Sequence, residues 1–311
     1  MSLTILLKGK REIDLELQSI LREIIPGKQQ FSALSKAAAF SSQTSIKAPY
    51  HLSNSHQSSV VGTAFDYMAR FIVAQTIARN KNSVTADLAA IYGLEIIKRH
   101  CDDQTSRLLE SKWKEGVDMV HQFVHCSKRS FEELLCYAAY MARLEHIYRT
   151  GMPPRDIKGS MSSMLAKEDR EITDDLKRLC EVFMASFMVP QIITPESNVV
   201  FNPHFGIASR SCGGADADIY IDGTLYDFKT SKQTGYRWKE VAQIFGYYFL
   251  HCIAVYLKDA SAKLNGCEIK RLAFYKARYG EIEYIDISAM EQKKMEFAAK
   301  RIADLLECTV K

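Results

Sequence analysis

Residues 213–230 decide the fold: Gly-Gly-Ala-Asp-Ala-Asp-Ile-Tyr-Ile-Asp-Gly-Thr-Leu-Tyr-Asp-Phe-Lys-Thr. Two short apolar runs flank Asp222-Gly223, the dipeptide most typical of a two-residue β-hairpin turn. A turn of that length sets the register by counting, so Ile219 is predicted to pair with Tyr226. The stretch therefore predicts two antiparallel strands whose facing residues are known.

Continuing the count outward places Asp218 opposite Asp227 and Asp216 opposite Lys229. Because side chains alternate along a strand, all four are expected on one face. Directly opposed residues have Cβ atoms about 5 Å apart, and two carboxylates that close repel by a few kcal/mol at an effective dielectric of about 20. A hard cation such as Mg²⁺ would offset that repulsion with two carboxylates, water and a substrate phosphate.

Outside this hairpin, the chain separates into a helical part and a part with strands. Apolar residues at helical spacing continue, with interruptions, from 84 to 188, and strand-like runs begin after Pro190. The predicted elements are helices over 12–25, 58–78, 239–256 and 289–307 and strands over 198–201, 219–221, 225–228, 272–277 and 282–287. Strands interspersed with helices indicate an α/β or α+β core that carries a largely helical N-terminal half.

Composition excludes some classes of protein and leaves others open. The chain has 311 residues and a net charge of +4, which permits a nucleic-acid partner without demanding one. No stretch approaches the about 18 apolar residues of a membrane span, and the apolar start is too short for a signal peptide. The eight cysteines form no C-x-x-C motif, so we expect reduced thiols in a cytoplasmic protein with no membrane association.

The same residues resemble the RecB-like branch of the PD-(D/E)XK nucleases. The resemblance consists of Gly213–Asp216 or the neighbouring Asp218, then Asp227-Phe228-Lys229-Thr230, then Gln243 and Tyr247 on the following helix. The last two are four residues apart and so share a helix face. Gly62-Thr63-Ala64-Phe65-Asp66 also resembles the first family helix, G-x-x-x-H, with Asp66 where the metal-binding His would be.

The resemblance implies a restriction-endonuclease-like core, a central mixed β-sheet flanked by helices with a large helical insertion. Residues 1–57 would form an N-terminal helix and an irregular segment, 58–80 with 189–311 the nuclease core, and 81–188 the insertion. The resemblance covers about 58–80 and 190–290 and is specific only in the middle of that range. Glu196, ahead of a strand, resembles the acidic residue that often precedes Gly-x-x-Asp in the family.

The implied activity is hydrolysis of phosphodiester bonds in nucleic acid, with DNA expected. Mg²⁺ (or Mn²⁺) would bind Asp218 and Asp227, helped by Asp216 or Asp66, and Lys229 would orient water or stabilise the transition state. Gln243 and Tyr247 would face the substrate. Some relatives hold an iron–sulfur cluster, but the cysteines of this chain are too dispersed, and none is predicted.

A basic and aromatic population follows the hairpin and suits phosphate contacts and base stacking. It comprises Lys229, Lys232, Arg237, Lys239, Lys258, Lys263, Lys270, Arg271, Lys276 and Arg278, with Tyr236, Trp238, Tyr275 and Tyr279 between them.

Two other functions remain open. The missing first-helix His favours a nucleic-acid-binding module that keeps the fold and no longer cuts, whereas the intact Asp-x-Lys argues against it. Alternatively, the chain is an accessory interaction protein whose helical insertion is the working part. Protein partners, and the choice between DNA and RNA, do not follow from the sequence.

Overall fold

The computed structural model describes residues 3–126, 128–151 and 169–308, so positions 152–168 of the predicted insertion lie outside the described residues. At its centre is a six-stranded mixed sheet in the order β1-β6-β5-β4-β3-β2. Neighbouring strands are antiparallel except β4 and β5, which run parallel. The strands are β1 (Ser32–Ala33), β2 (Val199–Phe201), β3 (Ile219–Ile221), β4 (Thr224–Lys229), β5 (Arg271–Lys276) and β6 (Glu281–Asp286).

Helices cover both faces of the sheet, which confirms the predicted mixed α/β class. They are α1 (Leu3–Leu6), α2 (Glu12–Ile24), α3 (Ser55–Thr76), α4 (Ala89–Lys98), α5 (Asp103–His121), α6 (Leu135–Thr150), α7 (Arg170–Ser186), α8 (Gly206–Ser211), α9 (Trp238–Tyr256) and α10 (Gln292–Leu305). Helices α3 to α7 share one apolar core with one sheet face, and α1, α2, α8, α9 and α10 share a second core with the other. None of the helices in the described part of the chain is long and apolar enough to cross a bilayer.

The turn between β3 and β4 has the conformation that its dipeptide predicts. Asp222 and Gly223 have φ values of 46° and 92°, and two positive φ values in succession define the type I′ hairpin turn. Ile219 pairs with Tyr226, as counting predicts. The Asp222 carboxylate also accepts a hydrogen bond of 2.8 Å from the amide of Asn198, which joins the turn to the start of β2.

Side-chain alternation on β4 divides its residues between the two cores. Tyr226 and Phe228 face α3, whereas Leu225 faces α9. Asp227 and Lys229 lie on the Leu225 side because residues two apart on a strand share a face. The Asp-x-Lys motif therefore lies under α9, the helix that follows it in sequence.

Helix α3 passes close to the end of β4. It begins at Ser55, three residues before the predicted start, because the Asn54 side chain caps it by accepting a 3.0 Å hydrogen bond from the Gln57 amide. Gly62 lies over Thr230, where an added Cβ would be 3.3 Å from the Thr230 Oγ1 atom. Asp66, one turn further along, is thereby directed toward the same end of β4.

A buried ion pair joins α7 to the segment after β5. Arg278 and Asp175 are 1% and 0% exposed, and the guanidinium binds both carboxylate oxygens at 2.9 and 2.7 Å. Its Nε also donates a 2.6 Å hydrogen bond to the carbonyl of Thr230. Because both members of the ion pair are buried, Arg278 fixes the backbone that directly follows Lys229.

Arg278→Met should destabilise the protein by about 3–5 kcal/mol, because it leaves Asp175 as an uncompensated buried charge. Arg278→Met with Asp175→Leu should recover part of that loss. The matched control is Arg271→Met in the exposed pair with Asp286, which should cost about 1 kcal/mol or less. Urea unfolding measures all three variants, and equal losses for Arg278→Met and Arg271→Met would contradict the argument.

Candidate active site at the end of β4

The centre of the candidate site is a close ion pair between Asp227 and Lys229. Asp227 is 2% exposed, and the Lys229 Nζ lies 2.5 Å from its Oδ2. Burial is the largest single influence and opposes the lysine charge, but the attraction and hydrogen bond of Asp227, together with the charges of Asp218 and Glu240, raise the Lys229 pKa. Lys229 is therefore a fixed cation held against the Oδ2 of Asp227.

Asp218 reaches Asp227 through a bend rather than through the backbone pairing predicted by counting. The β3–β4 ladder ends at the Ile219–Tyr226 pair, and the Asp218 Oδ2 accepts a 2.6 Å hydrogen bond from the amide of Phe228. Burial and the Asp227 charge raise the pKa of Asp218 to about 7. The two carboxylates thus lie close together in a largely enclosed space, where the charge of Asp227 disfavours the ionisation of Asp218.

Asp66 on α3 lies near enough to Asp218 and Asp227 for their charges to act on it. Burial first, and the charge of Asp218 second, raise its pKa well above the usual range. Burial also raises the pKa of Asp227, in spite of the attraction of Lys229. Asp66 stands where the family motif has a histidine, and the structure brings it to the same cluster of negative charge.

Helix α9 places Gln243 and Tyr247 over the ion pair. The Lys229 Nζ lies 3.5 Å from the Gln243 Oε1, and the Gln243 Nε2 donates a 2.7 Å hydrogen bond to the Tyr247 hydroxyl oxygen. Burial raises the pKa of Tyr247 well above its usual range, so the phenol stays neutral. Asp227, Lys229, Gln243 and Tyr247 therefore form one continuous series of polar contacts.

The predicted opposition of Asp216 and Lys229 is wrong. The strand is already broken at Asp218, and Asp216 instead forms an isolated antiparallel bridge with His204. Burial raises the pKa of Asp216, and the charges that oppose this shift most come from Arg149 and His204. Asp216 keeps solvent access and lies at the rim of the site.

The structure does not bring Glu196 to the carboxylate cluster. Glu196 is exposed and precedes β2, whose first residue Val199 pairs with Ile221 beside the turn. Asp218 lies beyond the opposite end of β3. Glu196 therefore lies at the end of the sheet opposite the carboxylate cluster and is not placed to act as a ligand.

A charged network behind Asp66 was not identified from the sequence. The Tyr67 hydroxyl donates to the Glu145 carboxylate at 2.5 Å, and Arg149 holds the other oxygen of Glu145 at 2.7 Å. Arg70 lies over the Tyr67 ring, and its buried Nε has no hydrogen-bond partner in the described part of the chain. The pattern that could have indicated this network is the Glu145–Arg149 pair, four residues apart on α6, where every buried residue other than Glu145 is apolar or aromatic.

Several members of the predicted basic and aromatic population are buried and structural, contrary to the predicted phosphate contacts. Lys276 is 3% exposed and lies between Glu240 at 3.8 Å and Glu283 at 3.7 Å. Arg278 is held by Asp175, and Tyr275 is fully buried. The physical reason is that β5 is a central strand covered on both faces, so its charged side chains must be paired inside the protein.

The carboxylates fit a divalent cation in their chemistry. Asp227 is buried with its Oδ2 against Lys229, and the charge of Asp227 helps to raise the pKa of the neighbouring Asp218. A pair of carboxylates completed by water is the usual protein contribution to a Mg²⁺ site. Among the residues that the structure describes, no group of three or more His, Cys, Asp or Glu side chains is arranged to hold a metal ion.

Comparisons with protein-family models, curated proteins and solved structures returned no match.

Asp218→Asn should make the metal-free protein more stable than the wild type at pH 8 and about equally stable at pH 4. The raised pKa means that the folded state holds a proton that the unfolded state releases near the ordinary Asp value. Asp218 thus contributes stability below about pH 4 and loses it as the pH rises through about 7. Because Asn does not titrate, the variant does not lose stability in this way as the pH rises. Urea unfolding at the two pH values, with a chelator present, measures the difference in the free energy of unfolding between variant and wild type. The same difference at pH 4 and pH 8 would contradict the raised pKa of Asp218.

Proposed function

We propose that this chain is a metal-dependent nuclease with a restriction-endonuclease-like core of the RecB-like type, acting on nucleic acid with DNA as the expected substrate. The observation that carries the proposal is the buried Asp227 beside Asp218, with the charged Lys229 on the same face. Acidic ligands next to a fixed cation provide what phosphodiester hydrolysis requires, which is a site for a metal ion and stabilisation of developing negative charge.

Asp218 and Asp227 would hold the cation, and Asp66 is the third oxygen donor available from α3. When bound, a divalent ion supplies Lewis-acid activation of water and of a phosphate oxygen. Such an ion would also offset the burial of charge that raises the pKa of all three carboxylates, and the repulsion that Asp218 exerts on Asp66 and Asp227 on Asp218. The protein would then be expected to gain stability when the ion binds.

Lys229 would stabilise negative charge on the substrate and would not act as a general base. Its pKa is raised, so it remains an ammonium and is unsuited to general-base catalysis at neutral pH. Its Nζ contacts both Asp227 and Gln243 and can approach a phosphate from the side of α9. Negative charge that develops on the phosphate in the transition state is what this cation would stabilise.

Gln243 and Tyr247 would set the position of Lys229. The Gln243 amide uses its oxygen toward Lys229 and its nitrogen toward the Tyr247 hydroxyl, so the amide orientation is determined by two partners. A lysine side chain held at its tip loses less freedom on reaching the transition state than a mobile one does.

The first test measures cleavage by the purified protein on linear, circular, single-stranded and double-stranded substrates with Mg²⁺ or Mn²⁺. Lys229→Ala should lower turnover on the order of a hundredfold. It should keep the metal-dependent stabilisation, about 2.7 kcal/mol at a hundredfold excess of metal over its dissociation constant, because it removes no ligand oxygen. Asp227→Asn should remove both the cleavage activity and the metal-dependent stabilisation.

Lys270→Ala is the control, since Lys270 is an exposed lysine beside the Gly223 turn at the other end of β4. Absence of cleavage on all substrates, or normal turnover in Lys229→Ala, would refute the nuclease proposal.

Gln243→Ala should reduce kcat/KM about tenfold while costing only about 1 kcal/mol of stability, since the side chain is half-buried and contacts the catalytic lysine. Gln292→Ala, at an exposed glutamine that begins α10, is the matched control and should change neither quantity. Steady-state kinetics and thermal unfolding measure the two effects. Full activity together with a large fall in Tm would make Gln243 a structural residue.

A further inference from the structure

A basic cleft opens beside Lys229 on the side away from the carboxylates. Its volume is about 690 Å³, and its walls come from α1, α2 and the first turn of α9. Five basic side chains line it, against a single acid, Glu240: they are Lys8, Arg22, Lys229, Arg237 and Lys239. Lys229 therefore belongs both to the candidate active site and to this cleft.

Most of the positive charge in the cleft is not neutralised by the protein. Lys8, Arg22 and Lys239 are exposed and form no ion pair within residues 3–126, 128–151 and 169–308. The one acid, Glu240, is already held by Arg237 at 3.2 Å and Lys276 at 3.8 Å. The unpaired amides at the start of α9 add partial positive charge. Like charges gathered around a concave surface favour an anionic ligand.

The wall contributed by the N-terminus is anchored to the site. Leu3 packs on α9 at Gly246, where an added Cβ would lie 2.8 Å from the Leu3 Cδ2. The amide of Leu3 donates a 3.2 Å hydrogen bond to the carbonyl of Gly214, in the loop that leads to Asp218. Gln18 on α2 donates to the carbonyl of Leu6 at 3.1 Å. Lys8 is therefore carried by a segment that packs directly against the elements of the active site.

We propose that this cleft binds consecutive phosphates of the strand being cut, with Lys8 and Lys239 as phosphate contacts beyond the scissile bond. The inference rests on the proposed nuclease function and adds the N-terminal helices, which the family resemblance does not cover. A cleft of this volume is in the range of ligand pockets, about 300–1,000 Å³, so it takes a short stretch of one strand.

Recognition in the cleft is through phosphates rather than through bases. Trp238 lines the cleft, but the guanidinium of Arg22 lies 4.0 Å from the centre of its ring and covers one of the two faces on which a base could stack. Phosphate contacts carry no sequence information. Binding is therefore expected to be salt-dependent and indifferent to sequence.

The test compares two double variants of equal charge change in an Asp227→Asn background, which prevents cleavage. Lys8→Gln/Lys239→Gln removes two cleft cations, and Lys293→Gln/Lys300→Gln removes two exposed lysines on α10 outside the cleft. Fluorescence anisotropy measures the affinity for labelled single-stranded oligonucleotides of increasing length, and for a labelled nucleoside triphosphate, as salt is varied. All of the exchanged lysines are exposed, so thermal unfolding should show no large difference between the proteins.

The cleft variant should bind oligonucleotides on the order of tenfold more weakly at low salt, and its salt slope should fall by about 1.4, from two contacts of about 0.7 each. The control should bind as its parent does, and affinity should rise with oligonucleotide length. Equal binding by both double variants would overturn the proposal. So would a nucleoside triphosphate that binds as tightly as the longest oligonucleotide, since the cleft would then be a small-molecule site.

Cleavage by the proteins with Asp227 intact separates this proposal from the proposed function. If the wild type cuts and Lys8→Gln/Lys239→Gln cuts with an unchanged KM, the cleft proposal alone fails. If oligonucleotide binding depends on Lys8 and Lys239 but the wild type never cuts, the nuclease proposal fails and the cleft remains a phosphate-binding site.

Discussion

The left-handed turn at Asp222 and Gly223 fixes the register between β3 and β4, and the candidate site depends on that register. Both residues have positive φ values, a conformation that few residue types other than Gly, Asn and Asp adopt without strain. A slip of one residue would exchange the two faces of a strand. Asp227 and Lys229 would then enter the aromatic core on the side of α3, where neither charge has a partner.

Folding brings together charges that oppose it, and the surrounding packing has to offset the cost. Asp66, Asp218 and Asp227 each have a raised pKa because burial and like charge disfavour ionisation. Lys229 and the Phe228 amide compensate only part of this. Stable apolar cores on both sides of the sheet supply the remaining free energy. Local unfavourable electrostatics inside a well-packed frame is the pattern expected where a site serves a function rather than stability.

Charge is distributed unevenly around Lys229, and this asymmetry separates the expected position of a metal ion from the expected position of the substrate strand. The acidic side, with the half-buried Asp218 and the buried Asp227, suits a cation, whereas the side bounded by the exposed Lys8 and Lys239 suits phosphates. Lys229 contacts Asp227 directly and also lines the basic cleft. A strand held in the cleft would therefore present one phosphate to the boundary between the two regions, where a metal ion and an ammonium act together.

Local periodicity was enough to predict the hairpin, the common face of Asp227 and Lys229, and the alignment of Gln243 with Tyr247, because each depends on residues close in sequence. The bend at Asp218 was not predictable, because counting the register gives no sign of where the strand ends. As a result, Asp216 pairs with His204 and does not face Lys229. Asp66 could be placed only by analogy, and Glu196 lies at the far end of the sheet. Tertiary packing alone decided that Arg278 and Lys276 would be buried and that Lys8 would border the site, because burial is set by elements distant in sequence.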